Sequence, residues 1–225
     1  MLLDWMFSPQ CTACGVAASV LCDACRRTLV DNAAACPRCA EPAVNDAVCR
    51  RCIVDPLPLD RIVAPWRFGG QLAIAIRRLK FAGRSHIARD LVPLWAPLLR
   101  AFVAAYNPIV VPIPLHWTRR FKRGYDHTWL LAVHACRDLA IEPRPLLRRI
   151  HRAPPQSTLP ALQRRANVRG AFGARRTSEL TGRTIVLVDD VVTTGSTMAA
   201  AARPLLAAGA SAVFGIALAR ASSDG

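Results

Sequence analysis

Eight cysteines fall within the first 52 residues, in four pairs of one spacing: Cys11/Cys14, Cys22/Cys25, Cys36/Cys39 and Cys49/Cys52. Each pair is Cys-x-x-Cys. Two intervening residues let a tight knuckle aim both sulfurs at one tetrahedral ion, with backbone N–H groups turned toward the thiolates. Four knuckles make two zinc sites of four thiolates each. A disulfide framework would need an oxidising compartment, a redox Cys-x-x-Cys usually stands once beside a βαβ unit, and iron–sulfur clusters use other spacings. Structural zinc is the reading that fits. The spacers of seven and nine residues suit sequential use: Cys11, Cys14, Cys22 and Cys25 on one ion, Cys36, Cys39, Cys49 and Cys52 on the other. A crossed pairing stays open. So short a segment has few large apolar residues, so the metal must supply its folding energy. The ninth cysteine, Cys136, sits in an apolar helical context and reads as core.

A second chemical signature lies near the other end, in Val186-Leu187-Val188-Asp189-Asp190-Val191-Val192-Thr193-Thr194-Gly195-Ser196-Thr197. An apolar strand runs into two adjacent carboxylates, a loop rich in hydroxyls and a glycine follows, and a helix begins. Ligands of parallel sheets sit beyond the carboxyl ends of strands. A glycine-containing loop at a helix N-terminus is a phosphate cradle. It lacks the Gly-Lys pair of a Walker loop. Carboxylates beside a phosphate must face something else, and sugar hydroxyls, which donate hydrogen bonds to them, are the natural partner. The segment therefore fits a ribose 5-phosphate, with acids on the 2- and 3-hydroxyls and loop on the phosphate.

Charge points the same way. The chain of 225 residues carries 30 Lys+Arg against 15 Asp+Glu, and its only lysines are Lys80 and Lys122. From Arg100 to Arg176, fourteen arginines and Lys122 face Asp126, Asp138 and Glu142, a net of +12 in a third of the chain. An anionic partner, polyphosphate or nucleic acid, is expected. At 52% hydrophobic and 20% charged residues, ordinary disorder is disfavoured. The most apolar stretch, Pro204 to Ala219, has 16 residues and two glycines, too short for a membrane span. The N-terminus has neither a basic n-region nor a long apolar h-region, so a cytoplasmic location is expected.

Both signatures need elements to hold them. Residues 1–56 form the cysteine module, ended by Asp55-Pro56-Leu57-Pro58-Leu59, and residues 57–225 a second domain. Arg61–Phe68 reads as a strand. Gly70–Phe81 has helical spacing, with Leu72, Ile76 and Leu79 on one face. Ser85–Tyr106 repeats that pattern, broken or kinked by Pro93 and Pro97. Ile109–Ile113 is a short apolar run expected of a buried parallel strand. Asp126–Ala140 reads as a helix, Pro145–Ile150 as a strand, and the stretch opening at Pro154 as irregular. Thr184–Val188, Ser196–Ala208 and Ala212–Leu218 read as strand, helix and strand. Alternating strands and helices predict an α/β fold with a mostly parallel sheet.

The segment 186–197 resembles the 5-phosphoribosyl-1-pyrophosphate motif of type I phosphoribosyltransferases. Val111-Pro112-Ile113-Pro114-Leu115-His116 with Arg119-Arg120-Phe121-Lys122-Arg123-Gly124-Tyr125 resembles a second signature, that of the ComF family (ComFC and GntX-like proteins). Gln156, Arg164, Arg165, Asn167 and Phe172 resemble its third block. That family joins a cysteine zinc module to a phosphoribosyltransferase-like domain. The chain departs from it after Tyr125, where Asp126 and His127 replace the usual Asn and Gln.

The resemblance implies a Mg²⁺-dependent pentosyl transfer from phosphoribosyl pyrophosphate to an unidentified acceptor, linked to DNA uptake. Asp189 and Asp190 would orient the ribose. Thr193, Thr194, Gly195, Ser196 and Thr197 would take the 5-phosphate, and Pro114, Arg120 and Arg123 would approach the diphosphate. Lys80 either reaches the site or snorkels to solvent. The alternative is a non-catalytic protein that binds single-stranded DNA and senses a phosphoribosyl ligand. Single-stranded DNA and a competence helicase or other DNA-processing proteins are the partners implied.

Overall fold

The computed structural model describes residues 10–17, 21–43, 45, 47–81, 85–150 and 170–222. The expectations resting on Gln156, Arg164, Arg165 and Asn167 lie outside these residues, as does the stretch opening at Pro154.

Two short helices, α1 (Asp23–Arg27) and α2 (Arg50–Val54), carry the last cysteine of each set. The segment read as one strand over 61–68 is two, β1 (Arg61–Val63) and β2 (Trp66–Arg67), both paired with the last strand. Pro65, which has no N–H to donate, lies between them. Helix α3 (Gly70–Phe81) has the expected bounds. Pro93 ends α4 (Ile87–Leu91) in a single 3₁₀ turn, and Pro97 opens α5 (Ala96–Tyr106). Strand β3 (Ile109–Pro112) is followed by α6 (Trp117–Arg123), a helix the apolar periodicity did not announce. Then come α7 (His127–Arg137), β4 (Leu147–Arg149), β5 (Phe172–Ala174), β6 (Thr184–Val192), α8 (Ser196–Ala207) and β7 (Ala212–Arg220).

The main sheet is parallel throughout, in the order β1-β7-β6-β3, with β2 also on β7. Strands β4 and β5 form a separate antiparallel pair. Strands β6 and β7 are central, and their side chains alternate between two cores, as period-two geometry requires. Val186, Val188, Ile216 and Leu218 face the helices α3, α4, α5 and α7. Ile185, Leu187, Val213 and Ala217 face α8 and the β4–β5 pair.

The cysteine segment straddles the β1 edge of this sheet. Cys11, Ala13, Leu21 and Cys25 pack into the first core. Ala40 packs into the second core, and Leu57 touches both that core and the cluster of Cys36, Cys39 and Cys52. The Ile62 N–H donates to the Arg38 carbonyl at 2.9 Å, and the Arg67 N–H to Val30 at 2.8 Å. An edge strand offering unpaired backbone groups is thereby covered. Among the described residues no helix is long and apolar enough to cross a membrane.

Candidate functional site

The structure gathers the knuckles in chain order. Within each set, Cys11/Cys14/Cys22/Cys25 and Cys36/Cys39/Cys49/Cys52, the sulfurs lie within 4.8 Å of one another. Cys14 Sγ is 3.7 Å from Cys22 Sγ, and Cys39 Sγ is 3.6 Å from Cys49 Sγ. A tetrahedron with Zn–S bonds of about 2.3 Å has edges of about 3.8 Å, so the donor sets fit the ion. The Cys22 N–H donates to Cys11 Sγ and the Cys49 N–H to Cys36 Sγ, as thiolates require. Burial raises both acceptor thiols, but the backbone donors outweigh it and lower Cys11 and Cys36 to about 6. None of the nine cysteines is disulfide-bonded. Cys136 is fully buried, and burial pushes its thiol up to about 12, the behaviour of a core residue.

The second site forms where β6 meets its loop. The strand continues through both acids to Val192, so Asp189 and Asp190 are strand residues with side chains on opposite faces. Asp189 is half-buried, and Asp190 is 4% exposed. Asp190 Oδ2 lies 2.6 Å from the Lys80 ammonium and 3.1 Å from His127 Nε2. Arg123 Nη1 stands 3.2 Å from His127 Nδ1 and can only donate, so the imidazole hydrogen sits on Nε2 and points at Asp190. The Arg123 guanidinium also stacks over the Phe81 ring at 4.7 Å.

The two acids are therefore in opposite electrostatic states. Burial alone would raise the Asp190 carboxyl, but the Lys80 ammonium and the His127 hydrogen bond outweigh it and hold it well below the usual range. Burial, and then the Asp190 charge, push Asp189 well above that range.

The loop follows at once. Thr193 is exposed, Thr194 Oγ1 is 2.7 Å from Ser196 Oγ, and the Ser196 N–H donates to Thr194 Oγ1. Gly195 caps α8 in the left-handed region, φ 74°. A Cβ there would stand 2.8 Å from Leu57 Cδ1 and 3.1 Å from Ile62 Cδ1, so a side chain would strain the backbone and push Leu57 aside. Thr197 lies half-buried in the first turn of α8, whose leading N–H groups have no acceptor within the helix.

Asp126 is the N-cap of α7. Its Oδ1 accepts from the Thr128 and Trp129 N–H groups, and its Oδ2 from the Leu115 N–H at 3.1 Å. It thus pins the turn after β3 beside the β6 acids. Pro114 and Arg120 line a cleft of about 550 Å³ on the β3 side, with Tyr125, Trp129, Arg148 and Arg175. Arg123, expected near a diphosphate, lies against His127 and Phe81.

The sequence marks His127 only as a departure from the family pattern and leaves Lys80 open. Both carry a helical signal. His127 continues the buried stripe of Leu131 and Ala135, and Lys80 that of Leu72 and Ile76. A basic residue on a core-facing stripe demands an acid partner.

A family model described as a double zinc ribbon domain matches residues 2–53, and one described as a phosphoribosyl transferase domain matches residues 131–224. The chain is 34% identical over 202 residues to the DNA utilization protein YhgH of Escherichia coli O157:H7, covering 86% of this chain and 87% of that protein. It is 29% identical over 203 residues to Competence protein F of Haemophilus influenzae, covering 85% and 88%. It is 30% identical over 183 residues to Competence protein ComFC of Bacillus subtilis, covering 79% and 73%. Two four-cysteine ribbons, a parallel sheet with the acid pair and Thr-Thr-Gly-Ser-Thr loop on one strand, and these relatives together place the chain in the ComF family.

Proposed function

We propose that the loop after β6 binds phosphoribosyl pyrophosphate with Mg²⁺, and that the protein serves DNA uptake or utilisation. The observation that carries the ligand is the continuity of strand, acid pair, loop and helix N-terminus at the carboxyl end of a central parallel strand. The DNA role rests on the names of the relatives. Residues 1–56 act as the zinc module and 57–225 as the ligand-binding domain.

The structure's two electrostatic states divide the labour of the acids. Asp190 is held by Lys80 and His127, so it anchors the site. Asp189, half-buried and without a cation at ion-pair distance among the described contacts, is the carboxyl group offered to the ribose hydroxyls, accepting from them through its unprotonated oxygen. Thr194, Ser196, Thr197 and the backbone of α8's first turn receive the 5-phosphate. Thr193, exposed at the rim, completes that cradle, and Gly195 permits its turn. Mg²⁺ would supply charge neutralisation for the diphosphate. In a transfer, the anomeric C–O bond to diphosphate breaks, the acceptor bonds to that carbon and loses a proton, and pyrophosphate departs. Calorimetric titration with and without Mg²⁺ tests the binding. A screen for pyrophosphate release against bases and amines then separates enzyme from sensor.

A second reading, single-stranded DNA binding, is favoured by the cleft between α6–α7 and the β4–β5 pair. Arg120, Arg148 and Arg175 offer phosphate contacts there, and Trp129 and Tyr125 offer aromatic faces. Fluorescence anisotropy with a labelled oligonucleotide across a salt series tests it, and binding unchanged by salt would reject it. A competence helicase or another DNA-processing protein is the partner class such a role would require.

A further inference from the structure

The two four-cysteine sites are joined to the rest of the protein differently, and among the described residues only the second reaches the phosphate loop. Leu57 packs at once against the cluster of Cys36, Cys39 and Cys52 and against the core that contains Ile62 and Met198. Its Cδ1 fills the space over Gly195 so closely that a Cβ would stand 2.8 Å away. Ile62 closes the other side of Gly195, and its own N–H is held by the carbonyl of Arg38, which lies between Cys36 and Cys39. At the end of β7, Arg220 is 1% exposed; its Nη1 donates to the Cys39 carbonyl at 2.9 Å, and its Nη2 pairs with Glu41.

We infer that the second four-cysteine site is the mechanical anchor of the loop 193–197, with Leu57 and Ile62 as positioning residues between them. Formation of the Cys36/Cys39/Cys49/Cys52 site sets the path of the chain from Arg38 to Leu57. That path fixes two side chains against Gly195, and Gly195 sets the turn that aims Thr194 and Ser196. Among the described residues the first site has no such route: its links run to α3 and the opposite core. The consequence for ligand affinity rests on the proposed phosphoribosyl reading, whereas the coupling itself is a property of the chain.

The test uses the full chain, its zinc content, and hydrogen exchange of residues 193–198, which needs no ligand. Leu57→Ala should keep two zinc ions yet speed exchange in that loop about tenfold, leaving α3 and β3 unchanged. Leu57→Met should restore protection. Cys49→Ser should loosen the loop, and Cys14→Ser should not. An unchanged loop in Leu57→Ala and Cys49→Ser, or equal loosening in Cys14→Ser, overturns the coupling. Titration with Mg²⁺-phosphoribosyl pyrophosphate separates the two claims. Exchange as predicted without binding by the unsubstituted protein defeats the ligand reading alone. Normal binding with an unresponsive loop defeats the coupling alone.

Discussion

The two ribbons share a spacing and a donor set but stand in different surroundings. In the first, Cys14 is exposed, and the docking runs through Cys11 and Cys25 in the helical core and one hydrogen bond from Arg78 to the Thr12 carbonyl at 2.8 Å. In the second, Cys39 is wholly buried, Arg220 donates to its carbonyl and Asn32 to that of Ala40, and β1 hydrogen-bonds its knuckle. Identical metal chemistry thus serves two ends. One ribbon covers a helix face. The other is built into the sheet edge that supports the loop 193–197.

The largest expected effect sets the ribbons directly against each other. Cys39→Ser should destabilise the chain by more than about 4 kcal/mol, because a lost zinc site loses its folding energy and the sheet edge goes with it. Cys14→Ser should cost clearly less, although zinc analysis should show one ion lost in each. Equal denaturation midpoints would erase the distinction. Next in size, Arg220→Met should cost about 3 kcal/mol while both zinc ions remain, since it removes the donor to the buried Cys39 carbonyl and one partner of Glu41. Loss of zinc would instead mean that Arg220 only shapes the metal site.

The acid pair gives the next effect, with opposite signs on adjacent residues. Asp190 is held below its unfolded value, so it stabilises the fold above about pH 4, and that contribution is lost as pH falls further. Asp189 is held above its unfolded value, so the native state keeps a proton the unfolded chain releases, and stability declines as pH rises from about 4. At pH 7, Asp190→Asn should cost about 2 kcal/mol and Asp189→Asn should raise the melting temperature, both read by thermal denaturation. Two losses of equal size would contradict the assigned states. The smallest effect belongs to the first ribbon: Arg78→Ala should cost about 1 kcal/mol, one hydrogen bond's worth, with ligand binding intact.

The sequence made different parts of this legible for different reasons. Repeated spacing exposed all eight metal ligands, because a knuckle is a local geometry. The bounds of α3 and the apolar starts of β3, β6 and β7 followed from periodicity. Strand β5 did not, since three residues of Phe-Gly-Ala form a strand only through their partner β4. Helix α6 escaped because its sequence, Trp-Thr-Arg-Arg-Phe-Lys-Arg, has no apolar stripe; His116 caps it and Gly124 ends it. Asp189 and Asp190 were found by type, but their unequal roles come from Lys80 and His127, more than a hundred and more than sixty residues upstream. Long-range pairing of that kind leaves only the trace of a basic residue on a buried stripe.

Titration calorimetry with Mg²⁺-phosphoribosyl pyrophosphate on the zinc-replete protein tests the central claim most directly. One ligand per chain is expected, with a Kd between roughly 1 μM and 1 mM, weakened about tenfold or more by Asp189→Asn despite that variant's higher melting temperature. No binding by the folded protein, or an Asp189→Asn variant that binds as well, would contradict it.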